Sequence, residues 1–258
     1  MTPEAPVMAA QALTKRFDFV PACDSVDLDI YSGEVLGIVG ESGSGKSTLL
    51  RCLAGELDPS SGQVLFEHST LGRVDIHALD EPERRRLRRE AWGFVHQNPR
   101  DGLRSRISAG GNIAEPLLNR GDRHYGAIRH TALEWMARVE LDASRIDHAP
   151  ATFSGGMQQR VQIARSLVHG PKIVFMDEPT GGLDVSVQAR LLDTLRSLVL
   201  ELDLAVVIVT HDLGVARLLA DRLIVMRQGR IIESGITDQV LDDPQHAYTQ
   251  LLVSAVLH

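Results

Sequence analysis

Apolar residues along the chain alternate between short unbroken runs and helical spacings. Val35-Leu36-Gly37-Ile38-Val39 is one such run, with the length of a buried strand. A glycine-rich loop, Gly40 to Gly45, follows it, and a helix is expected from Lys46 to about Ala54, stopped by Gly55. Gly62 to Phe66 reads as another strand. Leu191, Leu195, Leu198 and Leu202 share one helix face, and Leu204 to Val209 is a fully apolar strand. Leu213, Ala216 and Ala220 mark a further amphipathic helix. Leu223 to Met226, the turn Gln228-Gly229-Arg230 and Ile231-Ile232 predict a hairpin. Apolar strands separated by amphipathic helices predict an α/β core with a mainly parallel sheet covered on both faces.

The middle of the chain breaks this rhythm. Residues 98–167 lack apolar strand runs and carry helical stretches such as Ala127 to Val139. They are expected to form a helical subdomain inserted into one domain, with residues 1–97 and 168–258 forming the α/β core.

With 258 residues, 43% of them hydrophobic, the chain can bury a full core. The longest apolar run is far short of a membrane span. Met1 to Gln11 has no basic segment followed by an apolar run, so it does not read as a signal peptide. The formal net charge of −7 argues against sequence-independent binding of nucleic acid. Cys23 and Cys52, the two cysteines, have no metal-ligand spacing and suit a reducing cytoplasm.

Three segments carry candidate chemistry. Gly40-Glu41-Ser42-Gly43-Ser44-Gly45-Lys46-Ser47 fits G-x-x-x-x-G-K-[ST] with a strand before and a helix after. Glycines let successive N–H groups converge on phosphate oxygens, and the helix start adds its positive dipole end. Lys46 would neutralise phosphate charge, and the Ser47 hydroxyl would be a hard ligand for Mg²⁺. Asp177-Glu178 ends the apolar run Ile173 to Met176, at the strand end where α/β sheets bind ligands. Asp177 would hold Mg²⁺ through water, and Glu178 would polarise the attacking water. Taken alone, the pair reads equally well as two solvated strand-end acids. Ser154-Gly155-Gly156-Met157-Gln158 opens a helix with Ser154 as its N-cap, making a second phosphate-facing helix start. Met157, Val161, Ala164 and Val168 are expected on that helix's apolar face.

These motifs, in this order, resemble the ABC ATPase family over nearly the whole chain. The resemblance implies a nucleotide-binding core with an N-terminal antiparallel β subdomain and an inserted helical subdomain. It implies ATP bound at Gly40 to Thr48, with Phe17 or nearby Phe19 stacked on adenine. It implies a head-to-tail dimer in which Ser154, Gly155, Gly156, Met157 and Gln158 of one protomer complete the ATP site of the other. Met157 departs from the more common Gln, and Phe153 from Leu. Gln97 falls at the Q-loop, where it would sense Mg²⁺ and the attacking water. Asp184, after Leu183, falls at the D-loop that couples the two sites. His211, as the switch histidine, would hydrogen-bond the γ-phosphate.

The segments around Gln97, Ser108 to Asn112 and Arg123 to Gly126 further resemble ATP-binding subunits of bacterial carbon–phosphorus lyase systems. That likeness implies a cytoplasmic ATPase, as a homodimer or with a paired cassette, docked on soluble lyase core subunits. The tail Asp243 to Thr249 also resembles ATPases of oligopeptide- or nickel-type importers, which act on a permease. Arg100, Arg104 and Arg106 are candidate contacts to an acidic partner surface; a solvated basic loop is the alternative. Glu81–Arg85 and Arg86–Glu90 spacings predict a solvated helix, Trp92 and Trp135 read as packing residues, and the scattered histidines suggest no metal beyond Mg²⁺.

Overall fold

The computed structural model describes residues 5–68 and 70–255; the first four residues of the N-terminal stretch read above lie outside them. The strands are β1 (Met8–Phe17), β2 (Val20–Ile30), β3 (Val35–Val39), β4 (Ser61–His68), β5 (Gly72–Asp75), β6 (Trp92–Val95), β7 (Ile173–Asp177), β8 (Ala205–Val209), β9 (Arg222–Arg227) and β10 (Arg230–Ile236). The helices are α1 (Lys46–Leu53), α2 (Glu81–Ala91), α3 (Pro99–Gly102), α4 (Ala109–Arg120), α5 (Tyr125–Arg138), α6 (Gly155–Leu167), α7 (Val185–Leu202), α8 (Leu213–Leu219), α9 (Thr237–Asp242) and α10 (Ala247–Ser254). No helix among the described residues is long and apolar enough to cross a membrane. The fold is the α/β architecture expected, with an antiparallel β layer, mainly parallel core strands and a helical insert.

Backbone packing divides the chain into two units, residues 1–86 with 203–258, and residues 87–202. The first unit holds two β layers. β1, β2, β4 and β5 form an antiparallel sheet in the order β2-β1-β4-β5. In the other layer β3 lies between β8 and β9, parallel to both, and β10 pairs antiparallel with β9. All five residues of β3 and of β8 are buried, which explains their unbroken apolar sequence. The β9–β10 turn is Gln228-Gly229, with φ of +49° and +79°, the left-handed pair that a two-residue hairpin requires. α8 stops at Leu219, so Ala220 is its cap and not a helical residue.

The second unit pairs β6 and β7 in parallel and holds α3 to α7. α6 is its centre and is buried nearly all round: Val161, Ile163 and Ala164 are inaccessible, and Gln158, Gln159, Arg160 and Gln162 are buried with them. Met157, expected on the apolar face, is only half-buried. Arg160 donates to the Val139 carbonyl at 2.6 Å and pairs with Glu140 at 3.1 Å. Trp92 and Trp135 are packing residues; the Trp92 ring meets Phe175 edge-on at 5.9 Å.

α2 carries the Glu81–Arg85 pair at 3.2 Å and buries only Leu87 and Ala91, as a solvated helix should. Arg84 departs from that reading. Its side chain turns inward to Asp58 and Glu81. Hydrogen bonds from the Arg84 guanidinium and the His77 ring hold the Asp58 carboxyl below its usual range.

Candidate functional site

The phosphate loop leaves the C-terminal end of β3 and turns directly into α1. Three glycines make the path possible. Gly40, Gly43 and Gly45 have φ of +149°, +80° and +106°. A Cβ on Gly45 would lie 1.9 Å from the Ala22 carbonyl oxygen, and one on Gly40 would lie 2.2 Å from that of Met226. The loop curls around Lys46, whose Nζ donates to the carbonyls of Gly40 at 2.8 Å and Glu41 at 2.7 Å. Ser44 Oγ lies 3.4 Å from the same nitrogen. The Gly229 amide donates to Ser44 O at 2.9 Å, bracing the loop from the β9–β10 turn. Ser42 is exposed, as are Glu41 and Gly43; Ser47 is exposed on the first turn of α1, and Thr48 beside it is half-buried. A helix start reached by a loop of left-handed glycines suits a polyphosphate.

His211 follows the next strand over. β8 is the parallel neighbour of β3, with Ile38 paired to Val209, so the loop and His211 leave adjacent strand ends. The Thr210 amide donates to Ile38 O at 3.2 Å. Asp212 caps α8, its carboxylate accepting from Gly214 at 2.8 Å and Val215 at 3.2 Å. His211 itself is exposed. At the edge of the antiparallel layer Phe17 is 51% exposed with Lys15 Nζ 5.3 Å from its ring, while Phe19 is 96% exposed.

The second unit assembles the other candidates. β7 ends in Asp177, half-buried, and Glu178 follows with a left-handed φ of +43°. A non-glycine residue pays for that conformation, and such strain collects at functional positions. Gln97, two residues past β6, donates its Nε2 to Glu178 Oε2 at 2.8 Å. The structure thus joins two residues 81 apart in sequence that were singled out separately. Asp184 caps α7, accepting from Ser186 Oγ at 2.7 Å and Val187 N at 3.0 Å, and these bonds hold its carboxyl below the usual range.

Ser154 caps α6 through the Met157 amide at 3.4 Å. The two glycines behind it differ. A Cβ on Gly156 would strike Val187 Cγ1 at 2.6 Å, so close α6–α7 packing alone requires glycine there. A Cβ on Gly155 would meet nothing nearer than 3.8 Å. Gln158 turns inward, its Nε2 donating to the carbonyls of Pro150 at 3.0 Å and Phe153 at 3.1 Å. Gln97, Arg100, Phe153, Gly155, Gln158 and Leu183 help line an open cavity of about 410 Å³. Arg104, a candidate partner contact, pairs with Glu115 at 2.5 Å, and Glu115 also receives Arg165 at 3.0 Å. Arg100 and Arg106 are exposed.

Sequence reading passed over two features: the steric need for Gly156 and the contact of Tyr248 with the phosphate loop. The tail containing Tyr248 marks itself in the sequence only as a resemblance.

Comparison with known proteins places this geometry. The ABC transporter family model matches residues 23–181. The putative phosphonates utilization ATP-binding protein PhnK of Escherichia coli K12 is 62% identical over 98% of both chains. The dipeptide transport ATP-binding protein DppF of the same organism is 40% identical over 92% of this chain and 69% of its own. Among solved structures, the dimeric ATP-binding cassette MJ0796 in a post-hydrolysis state with ADP and phosphate has a TM-score of 0.80 at 33% identity, covering 89% of this chain and 98% of that one. CbiO1 of Clostridium perfringens, part of an ABC transporter complex, has a TM-score of 0.81 at 30% identity over 93% and 92%. The chain belongs to the ABC transporter family, and it is an ATP-binding, ATP-hydrolysing cassette of that family.

Proposed function

We propose that this cassette powers phosphonate breakdown, acting in the cytoplasm on soluble subunits of a carbon–phosphorus lyase complex. One observation carries the reading: the likeness to PhnK runs at 62% identity over 98% of both chains. The likeness to DppF falls to 40% and leaves about a third of that protein unmatched. The importer reading survives as a second possibility because the tail Asp243 to Thr249 resembles that group as well.

In this proposal ATP lies along Gly40 to Thr48, with Lys46 and the α1 dipole meeting its phosphates and Phe17 against the adenine. Mg²⁺ would take the Ser47 hydroxyl, the Gln97 amide oxygen and, through water, Asp177. Those are all hard oxygen donors, as Mg²⁺ demands, and one carboxylate with phosphates is its usual set. Among the described residues no cluster of three or more His, Cys, Asp or Glu offers a competing metal site. Glu178 would draw the proton from the attacking water and His211 would steady the γ-phosphate. Two cassettes would pair head to tail; the similar cassette MJ0796 is dimeric in its solved structures. Ser154 and Gly155 of one protomer would then cap the ATP of the other. The open space around Gly155 supports this, because among the described residues a Cβ there would meet only Leu183, at 3.8 Å. Closure around ATP and release after hydrolysis would move the bound lyase core; the carbon–phosphorus bond is cleaved elsewhere. Of the three arginines, Arg100 and Arg106 are the better partner contacts, since Glu115 already holds Arg104.

The test is a tagged pull-down from phosphate-starved cells with mass spectrometry of the captured proteins. Soluble phosphonate-degrading subunits are expected. Capture of an integral membrane permease in their place would move the chain to the importers and leave the ATP-site roles intact.

A further inference from the structure

The second residue of the phosphate loop is held by the far end of the chain. The Glu41 amide donates to the Tyr248 hydroxyl at 3.0 Å, across 207 residues of sequence. The Glu41 carbonyl is taken by Lys46. Both backbone groups of Glu41 therefore serve to anchor the loop at its start.

Tyr248 is itself firmly placed. It lies on the first turn of α10, and its amide donates to His246 Nδ1 at 3.0 Å. The Glu233 carboxylate on β10 accepts from the amides of Gln245 at 2.7 Å and His246 at 3.0 Å, fixing the approach to the helix. The Arg227 guanidinium sits 4.7 Å from the Tyr248 ring centroid, a cation–π distance. Tyr248, Leu252 and Val253 pack against a core of Val39, Leu213, Val225 and Leu241. Val39 is the residue immediately before Gly40. One apolar cluster thus underlies both the root of the phosphate loop and the helix that grips it.

We propose that Tyr248 is a positioning residue for ATP binding: its hydroxyl ties the Glu41 amide, so that the C-terminal helix holds the phosphate loop in its ATP-ready curl. The tie makes no contact with nucleotide. It acts by sparing ATP the cost of ordering the loop. Any partner that lifts α10 from its cluster then weakens nucleotide binding, and bound nucleotide resists that lifting to the same degree. The inference rests on the ATP-site role of residues 40–48, and the wild-type protein tests that role separately.

The experiment compares the full-length wild type with Tyr248→Phe and Val253→Ala. Phenylalanine keeps the ring, the Arg227 contact and the packing, and removes only the acceptor. Val253→Ala loosens the same helix and leaves the hydroxyl. Affinity for ATP, KM and kcat for phosphate release, melting temperature, and hydrogen exchange of the peptide spanning Glu41 are measured on each. Tyr248→Phe is expected to raise Kd and KM for ATP about 3- to 10-fold, the worth of one hydrogen bond. Its kcat should stay within about 2-fold, and exchange at Glu41 should quicken. Val253→Ala should lower the melting temperature at least as much with a smaller change in KM. Wild-type affinity and unchanged Glu41 exchange in Tyr248→Phe would overturn the proposal. So would an equal rise in KM in Val253→Ala with no quickening of exchange at Glu41, which would reduce the effect to general loosening. Failure of the wild type to bind ATP would instead remove the ATP-site role, while exchange at Glu41 still reads the tie.

Discussion

Replacing Glu178 by glutamine separates binding from chemistry at this site. Gln97 Nε2 donates to Glu178 Oε2 at 2.8 Å, and a glutamine carbonyl at the same place accepts the same bond. The left-handed φ of +43° costs glutamine what it costs glutamate, so the fold is unaffected and the melting temperature stays within about 2 °C. What disappears is the charge proposed to draw a proton from water. General-base catalysis contributes about 100- to 10,000-fold, so kcat should fall by that factor, about 3–5 kcal/mol of barrier. ATP affinity should hold or improve, because the proposed arrangement loses one negative charge facing the γ-phosphate. With hydrolysis blocked, ATP should hold two protomers together on gel filtration. Gln97→Ala, which removes the group orienting the carboxylate together with the proposed Mg²⁺ oxygen but leaves the base itself, should cost less, about 10-fold in kcat. Phosphate release and equilibrium nucleotide binding measure both quantities. A kcat for Glu178→Gln within 10-fold of wild type would refute Glu178 as the base. Loss of ATP binding would refute the separation of roles.

Gly45→Ala drives a Cβ against the Ala22 carbonyl in a left-handed conformation, so ATP binding should be abolished and stability should drop by about 2 kcal/mol or more in a denaturant titration. Ser154→Ala removes only a long 3.4 Å cap bond, so it should leave the melting temperature nearly unchanged and still depress ATP turnover at least about 10-fold if Ser154 serves the partner's ATP. Burial opposes ionisation of Glu233, but the Thr249 hydroxyl and the amides of Gln245 and His246 together outweigh it and hold its carboxyl below the usual range. The stability it contributes is therefore complete at neutral pH and lost as pH falls through that lowered value, so acid should release the C-terminal helix first, read by limited proteolysis. Burial pushes the Cys23 thiol up to about 12 and Cys52 to about 11, so neither should react with a thiol reagent at pH 8 until the protein is unfolded.

The sequence carried the local part of this structure well. β3, α1, β8 and the β9–β10 turn were readable because their apolar runs and glycines report on backbone conformation within a few residues. What it hid was set by distant neighbours. Arg84 looked like one of five arginines on a wet helix, yet Asp58, 26 residues away, turns it inward. Gly155 and Gly156 look equivalent in a motif, but Val187 on α7 makes only the second a packing requirement. Gln158 reads as a motif residue facing a ligand, and its amide is engaged by two carbonyls of its own loop. Residues 98–167 stand out because strands stop there; the compact unit runs from 87 to 202 because Ser166 of α6 donates to Phe94 O on β6 at 2.7 Å and α7 packs on Gly156.

The phosphate loop shows the same division in one short segment. Its sequence is self-sufficient as a motif, yet three of the contacts that shape it come from elsewhere: Ala22 at the start of β2 sets the limit on Gly45, Gly229 in the β9–β10 turn holds Ser44, and Tyr248 on α10 holds Glu41. A loop shaped by three remote elements cannot change without disturbing them. Binding free energy spent on ordering the loop therefore appears as stability in the first sheet, the hairpin and the tail. If the cassette passes ATP binding on to a partner, as proposed, the loop's supports are a route out of the site. That route lies within the first unit, and it leads to the chain's C-terminal helix.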